Sequence, residues 1–343
     1  MRIGTEQLAA HLKRGLKTLY TVHGAEALLA FEATDSIRMA ARAAGFSERE
    51  VLTAEPGFDW NRLAMSTASL SLFGEKKLLE LRIPSGKPGV EGARAIEALC
   101  ARLSSDMICL IQLPEIDWQG QKSAWFKALD VAGAMITAEP VGRERLPEWI
   151  SGRLAAQNQQ AAPQALRFLA DRMEGNLLAA YQEIQKLALL FAPGPLSLEQ
   201  VEQTVVDVAR FDVFKLGEAI LAADVPRLAH MLEGLQGEGE APPLVLWAIA
   251  AEIRALLAVQ AAQRNRAPLS QAQQREHRLW GKRQAQIEQA AKQRSRADLE
   301  AALLQAAGVD RIIKGLARGE VWDALLQLAL LAAGKPALRP VLI

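Results

Sequence analysis

The chain has 343 residues, enough for two or three domains at roughly 100–200 residues each. Half of the residues are hydrophobic, which excludes global disorder and predicts a sizeable core. The formal net charge of +1 gives no global pull toward nucleic acid or acidic partners, and two cysteines, Cys100 and Cys109, provide no disulfide framework and point to a reducing compartment. The first six residues lack the apolar run of a secretory signal. No uninterrupted apolar stretch reaches about 18 residues, so a soluble cytoplasmic protein without a membrane span is expected.

In chain order, residues 18–23 form a short β-type run that stops at Gly24. A helical pattern over residues 25–44 ends at Gly45. A strand at 51–53 follows, then a helix opened by Asp59, a good N-cap residue. Trp60, Leu63, Thr67 and Leu70 share one face of that helix. Residues 77–83 read as a strand, 84–89 as a loop and 92–103 as a helix. Residues 107–111 are apolar throughout, as in a strand covered on both faces. A helix bearing Trp125, Phe126 and Leu129 precedes a last strand at 134–137. This alternation predicts an α/β domain over residues 1–140, built on a mostly parallel sheet with right-handed crossovers.

The stretch Ser69-Leu70-Ser71-Leu72-Phe73-Gly74 places Leu72 and Phe73 away from the helix face that Leu63 marks. Two readings are open. The pair packs back on its own helix at a glycine end, or it protrudes as an apolar anchor for a partner.

The turn after the first strand is where such folds usually hold phosphate. That task needs close-approach glycines, a lysine and a hydroxyl. Gly24 is present, but Leu29, Ala30 and Phe31 stand where Gly-Lys-Thr would fall. Neither Pro84 nor Pro114-Glu115, at the ends of later strands, supplies an acidic pair for a metal. A nucleotide-type fold that has lost its chemistry and an α/β domain that never had it are both open; both predict no ATP binding and no cofactor.

After residues 139–142 the pattern turns helical, with helices predicted at 146–156, 164–173, 177–190 and 198–208. This small helical domain spans 141–210. A third domain, 211–343, carries helices at 213–223, 226–235, 244–263, 297–317 and 320–333, an architecture suited to holding subunits together.

His11, His23, His230 and His277 are too scattered for a metal site, and no nucleophile motif is present. Arg275, Arg278, Lys282 and Arg283 belong to a basic stretch from Arg264 to Arg296 that also holds Trp280. Stacking on bases or contact with phosphate is one reading. A solvated helix face is better supported, because Glu276 and Glu288 interrupt the run.

Several segments match a known family in order and spacing. They are Leu19-Tyr20-Thr21-Val22-His23-Gly24-Ala25-Glu26, Ser69-Leu70-Ser71-Leu72-Phe73, Trp125-Phe126-Lys127-Ala128-Leu129, Leu146-Pro147-Glu148-Trp149-Ile150 and Glu174-Gly175-Asn176-Leu177-Leu178-Ala179. Along essentially its whole length the chain resembles the delta subunit of the bacterial DNA polymerase III clamp loader. The resemblance implies an AAA+-like α/β domain with a degenerate nucleotide site, a helical lid and a helical collar. It implies binding to the sliding clamp (beta subunit) through Leu70, Ser71, Leu72 and Phe73, and opening of one ring interface. The implied partners are the gamma/tau ATPase subunits, delta-prime and primed DNA, within a DNA-directed DNA polymerase holoenzyme to which this chain adds no catalysis. Ala68 departs from the pattern, since many clamp-binding motifs begin with glutamine. A passive stator, an active ATPase and a DNA-binding module using residues 264–296 are the rival readings.

Overall fold

The computed structural model describes residues 1–68, 76–206, 208–266 and 268–335. The chain divides into two compact units, Met1–Asp171 with Leu177–Val206, and Arg172–Asn176 with Asp207–Ile343.

The first unit begins β1 (Arg2–Gly4), α1 (Thr5–Arg14), β2 (Leu19–His23), α2 (Ala27–Ala43), β3 (Phe46–Thr53), α3 (Asn61–Ala68), β4 (Lys76–Arg82), α4 (Gly89–Ala101), β5 (Met107–Gln112), α5 (Ala124–Ala132) and β6 (Ala134–Thr137). The six strands form one sheet in the order β1-β6-β2-β5-β4-β3, and every pairing is parallel. Helices cover both faces. Leu63 of α3, Ile96 of α4 and Phe126 of α5 pack with Leu19, Leu79, Leu81, Cys109 and Ile111. Leu8 of α1 and Ile37 of α2 pack with Tyr20, Val22, Leu78, Ile108 and Leu110 on the other side. Successive residues of β5 serve opposite faces, which is why that strand is apolar throughout. β3 starts at Phe46, earlier than the apolar run predicts, because as an edge strand it alternates core residues with charges.

The unit continues with α6 (Leu146–Ala156), β7 (Gln159–Ala161), α7 (Pro163–Met173), α8 (Leu177–Leu190), β8 (Gly194–Leu196) and α9 (Leu198–Thr204). The sequence predicts helix alone here; the structure adds the parallel ladder β7–β8, pairing Gln159 with Gly194. Gln159 is buried in that ladder and donates to the Leu187 and Phe191 carbonyl oxygens at 3.1 and 2.9 Å, closing the end of α8. α9 starts on a capping box, Ser197 with Gln200.

The second unit is helical: α10 (Leu216–Ala222), α11 (Val225–Gly237), α12 (Pro242–Asn265), α13 (Gln271–Glu276), α14 (Gly281–Gln293), α15 (Arg296–Ile313) and α16 (Val321–Ala332). α12 runs through its centre, where Ile249, Ile253 and Leu256 meet Leu299, Ala302 and Leu328. By length and composition α12 could cross a bilayer, the one described helix of this kind. Its buried residues form the core of this unit. The short piece 172–176 is sewn in by hydrogen bonds from the Val208 and Arg210 N–H groups to the Arg172 and Glu174 oxygens (2.9 and 2.8 Å). Gly175, at φ 79°, passes so close to Arg210 that a Cβ would collide with its carbonyl oxygen. That close approach gives the Glu-Gly-Asn motif its glycine.

A parallel sheet with helices on both faces, followed by a mostly helical region, is the fold class that the sequence predicts.

Candidate functional site

β2 is the switch point of the sheet, flanked by β6 on one side and β5 on the other, so the turn after it is where this class of fold binds ligands. The turn is closed by the chain itself. Gly24 has φ 145°, and a Cβ there would collide with the Ala138 carbonyl. The Glu26 N–H donates to that same oxygen at 3.1 Å. The Glu26 carboxylate accepts from the Leu28 N–H at 3.3 Å, at the N-terminus of α2. Burial raises the Glu26 carboxyl above its ordinary pKa, partly offset by that N–H donor. An acidic group therefore sits where the helix would present donors to a phosphate. Of the residues that replace Lys and Thr, Leu29 is buried, Ala30 half-buried and Phe31 is 65% exposed. Beside this turn lies a cleft of about 1160 Å³ between α1, α2 and α6. One wall is the pair Arg153–Glu32, both guanidinium arms at 2.6 Å from the carboxylate, with Arg153 also 4.7 Å from the Trp149 ring and 5.5 Å from the Tyr181 ring.

The second predicted site, Leu70, Ser71, Leu72 and Phe73, lies outside the described residues, but the framework on both sides of it is described. The Asp59 carboxylate accepts from the Asn61 N–H at 3.0 Å and opens α3. Leu63 is buried, whereas Met65 is 70% exposed. Trp60 lies against Gly92 of α4, where a Cβ would strike its ring. At the end of α3 the Ser66 hydroxyl donates to Glu50 of β3 at 2.7 Å. From the start of β4 the Lys77 ammonium reaches the same carboxylate at 2.6 Å, Glu48 at 3.7 Å and the Ser66 carbonyl oxygen at 3.2 Å. Burial opposes ionisation of Glu50, but the hydrogen bonds from Lys77 and Ser66 hold its carboxyl below the ordinary value.

On the opposite face of β4, Glu80 is fully buried. Its carboxylate accepts paired hydrogen bonds from Arg38 (2.8 and 3.2 Å) and Arg49 (2.7 and 3.2 Å), with Arg82 at 3.5 Å and Gln112 at 3.4 Å. Burial raises its pKa, yet the hydrogen bonds and charges of Arg49 and Arg38 more than reverse this, to about 2. This cluster ties α2 to β3, β4 and β5. The sequence signal for both clusters is the run Lys76-Lys77-Leu78-Leu79-Glu80-Leu81-Arg82, in which charges occupy a strand that must be buried.

The C-terminal basic set is split. Arg278 lies 5.6 Å from the Phe214 ring, which meets Trp247 edge-on at 5.9 Å. Phe214, Trp247 and Trp280 are all about half exposed. Arg275 ends α13. Arg283 instead holds buried Glu252 at 2.8 Å, and the Lys282 side chain lies outside the described residues. Arg294 is no part of a solvated face. It is 8% exposed and donates to the carbonyls of Ile220, Leu221 and Ala333, at the ends of α10 and α16. Among the described residues no group of three His, Cys, Asp or Glu side chains is placed to hold a metal ion.

Residues 20–139 match the family model described as DNA polymerase III, delta subunit. The chain is 30% identical to DNA polymerase III subunit delta of Escherichia coli (strain K12), over 98% of this chain and 97% of that protein. It is 28% identical to the subunit of the same name from Haemophilus influenzae, over 96% of this chain and 98% of the relative. Among solved structures, the Bacillus subtilis DNA clamp loader delta protein (YqeN) has the same fold, with a TM-score of 0.52, 18% identity and coverage of 96% of this chain and 99% of that one.

Proposed function

The chain belongs to the DNA polymerase III delta subunit family, and on that premise we propose that it binds the sliding clamp and opens one ring interface without hydrolysing ATP itself. Leu70, Ser71, Leu72 and Phe73 form the contact, with the two large apolar side chains entering a pocket on the clamp. The work is mechanical. Contacts completed only on the opened ring shift its equilibrium toward open. Moving such a balance from about 1:99 to 99:1 takes roughly 5.5 kcal/mol of differential binding. ATP acts on the partner gamma/tau subunits, which together with delta-prime control when this face is exposed. The chain is a cytoplasmic, non-catalytic part of the polymerase III holoenzyme. Its division of labour is a clamp-facing domain at 1–140, a lid at 141–210 and a collar at 211–343.

The observation that carries the ATP-free part of this reading is the turn after β2, where Glu26 occupies the α2 N-terminus with a carboxylate and Leu29, Ala30 and Phe31 supply neither lysine nor hydroxyl for a triphosphate. Calorimetric titration of the isolated chain with Mg-ATP is expected to give no saturable heat up to millimolar nucleotide. A stoichiometric isotherm in the micromolar range would replace this reading with that of an active ATPase. The exposed Phe214, Trp247 and Trp280 beside Arg278 favour a second role for the collar, a contact with primed DNA within the assembly involving Arg275 and Arg278.

A further inference from the structure

Lys77 is the odd residue of its face. Leu79 and Leu81, which follow it on the same side of β4, are apolar and buried, and Leu63 of α3 packs against them. A methionine at 77 would suit that surface. Lys77 is nevertheless only 6% exposed, and its ammonium engages Glu50, Glu48 and the Ser66 carbonyl together. A buried ion pair is weak evidence for stability, because desolvation opposes the attraction; its better-attested use is to fix one geometry. Here the geometry concerns two chain ends. Ser66 is on the last turn of α3 and Lys77 on the first residues of β4, and both are bound to the same carboxylate of the edge strand β3.

We infer that Lys77, Glu50 and Ser66 are positioning residues for clamp binding, a polar staple that sets where the chain leaves α3 and where it enters β4. The inference rests on the reading that the clamp contact lies between those two points. The staple touches no clamp pocket of its own. It lowers the cost of binding by fixing the flanks of the contact beforehand, as preorganised second-layer groups do.

The test is a double-mutant cycle on the full-length chain, with its own clamp as ligand. Lys77→Met/Glu50→Gln removes the staple without leaving an orphan buried charge. Leu72→Ala/Phe73→Ala removes the apolar pair. The staple variant is expected to bind about tenfold more weakly than the parent, with its melting temperature little changed. In the Leu72→Ala/Phe73→Ala background the same two substitutions are expected to cause no further loss. Affinity within twofold of the parent, or an equal loss in both backgrounds, overturns the inference and leaves the apolar contact standing. Full binding by Leu72→Ala/Phe73→Ala removes the underlying reading instead, and the inference with it. If Lys77→Met/Glu50→Gln does not fold, Ser66→Ala, which deletes one hydroxyl bond to Glu50, serves in the same cycle, with a loss of roughly threefold expected.

Discussion

Replacing Leu72 and Phe73 together by alanine is expected to weaken binding to the sliding clamp about a hundredfold or more. Two large apolar anchors in a desolvated pocket are each worth roughly 2 kcal/mol on truncation, and about 2.7 kcal/mol already makes a factor of one hundred. The effect should be large here because Ala68 stands where many clamp-binding motifs have glutamine, so the apolar pair carries more of the contact. The loss should fall on the dissociation rate, since association is set by diffusion and overall charge. Anisotropy titration of labelled clamp measures it, with the melting temperature as the control for folding. A variant that melts like the parent and binds like it would return Leu72 and Phe73 to the core and move the contact elsewhere.

Glu80→Gln is expected to destabilise the N-terminal unit by about 2–3 kcal/mol. Removing one partner of a buried ionic cluster leaves the others uncompensated, which typically costs about 3–5 kcal/mol. Arg49 and Arg82 are nearly half exposed, so solvent recovers part of that loss. The pH dependence follows from the same carboxylate. Its folded pKa of about 2 lies below the ordinary 4.5, so its stabilisation is fully present above pH 4.5 and is lost as the pH falls from there toward 2. The parent should therefore lose stability through that window, whereas Glu80→Gln starts lower and falls less steeply. Parallel acid slopes for the two proteins would mean that the arginine cluster is not the acid-sensitive element.

Much of the fold is legible in the sequence where a pattern is long and bounded. β6, α6 and α8 begin and end at the predicted residues, because glycine, proline or asparagine stands beside each apolar run. What is not legible is short and held by distant partners. β1 has three residues and exists because it pairs with β6, more than 130 positions away; β7 and β8 likewise have no period to detect. The polar clusters are hidden for a related reason. Glu80 depends on Arg38 and Arg49 from two other elements, and Lys77 on Glu50 of a neighbouring strand. Only the presence of charge in an apolar strand announces them. The basic stretch 264–296 shows the opposite problem. A residue count treats Arg278 and Arg294 alike, but the fold places Arg278, in the α13–α14 connection, beside an exposed aromatic cluster, and Arg294, just past the end of α14, in the core. The lack of a Gly-Lys-Thr signature after β2 is readable from Leu29, Ala30 and Phe31, whereas the place of Glu26 at the α2 N-terminus is visible only once the turn is folded.

The proposed function turns on opening of the clamp ring by this chain without nucleotide. The direct measurement is release of clamp preloaded on nicked circular DNA, after adding the isolated chain in buffer free of ATP. The expected release rate is well above the spontaneous one, saturates with the concentration of the chain, and is abolished in the Leu72→Ala/Phe73→Ala variant. Binding without accelerated release, or release that requires ATP, would contradict it.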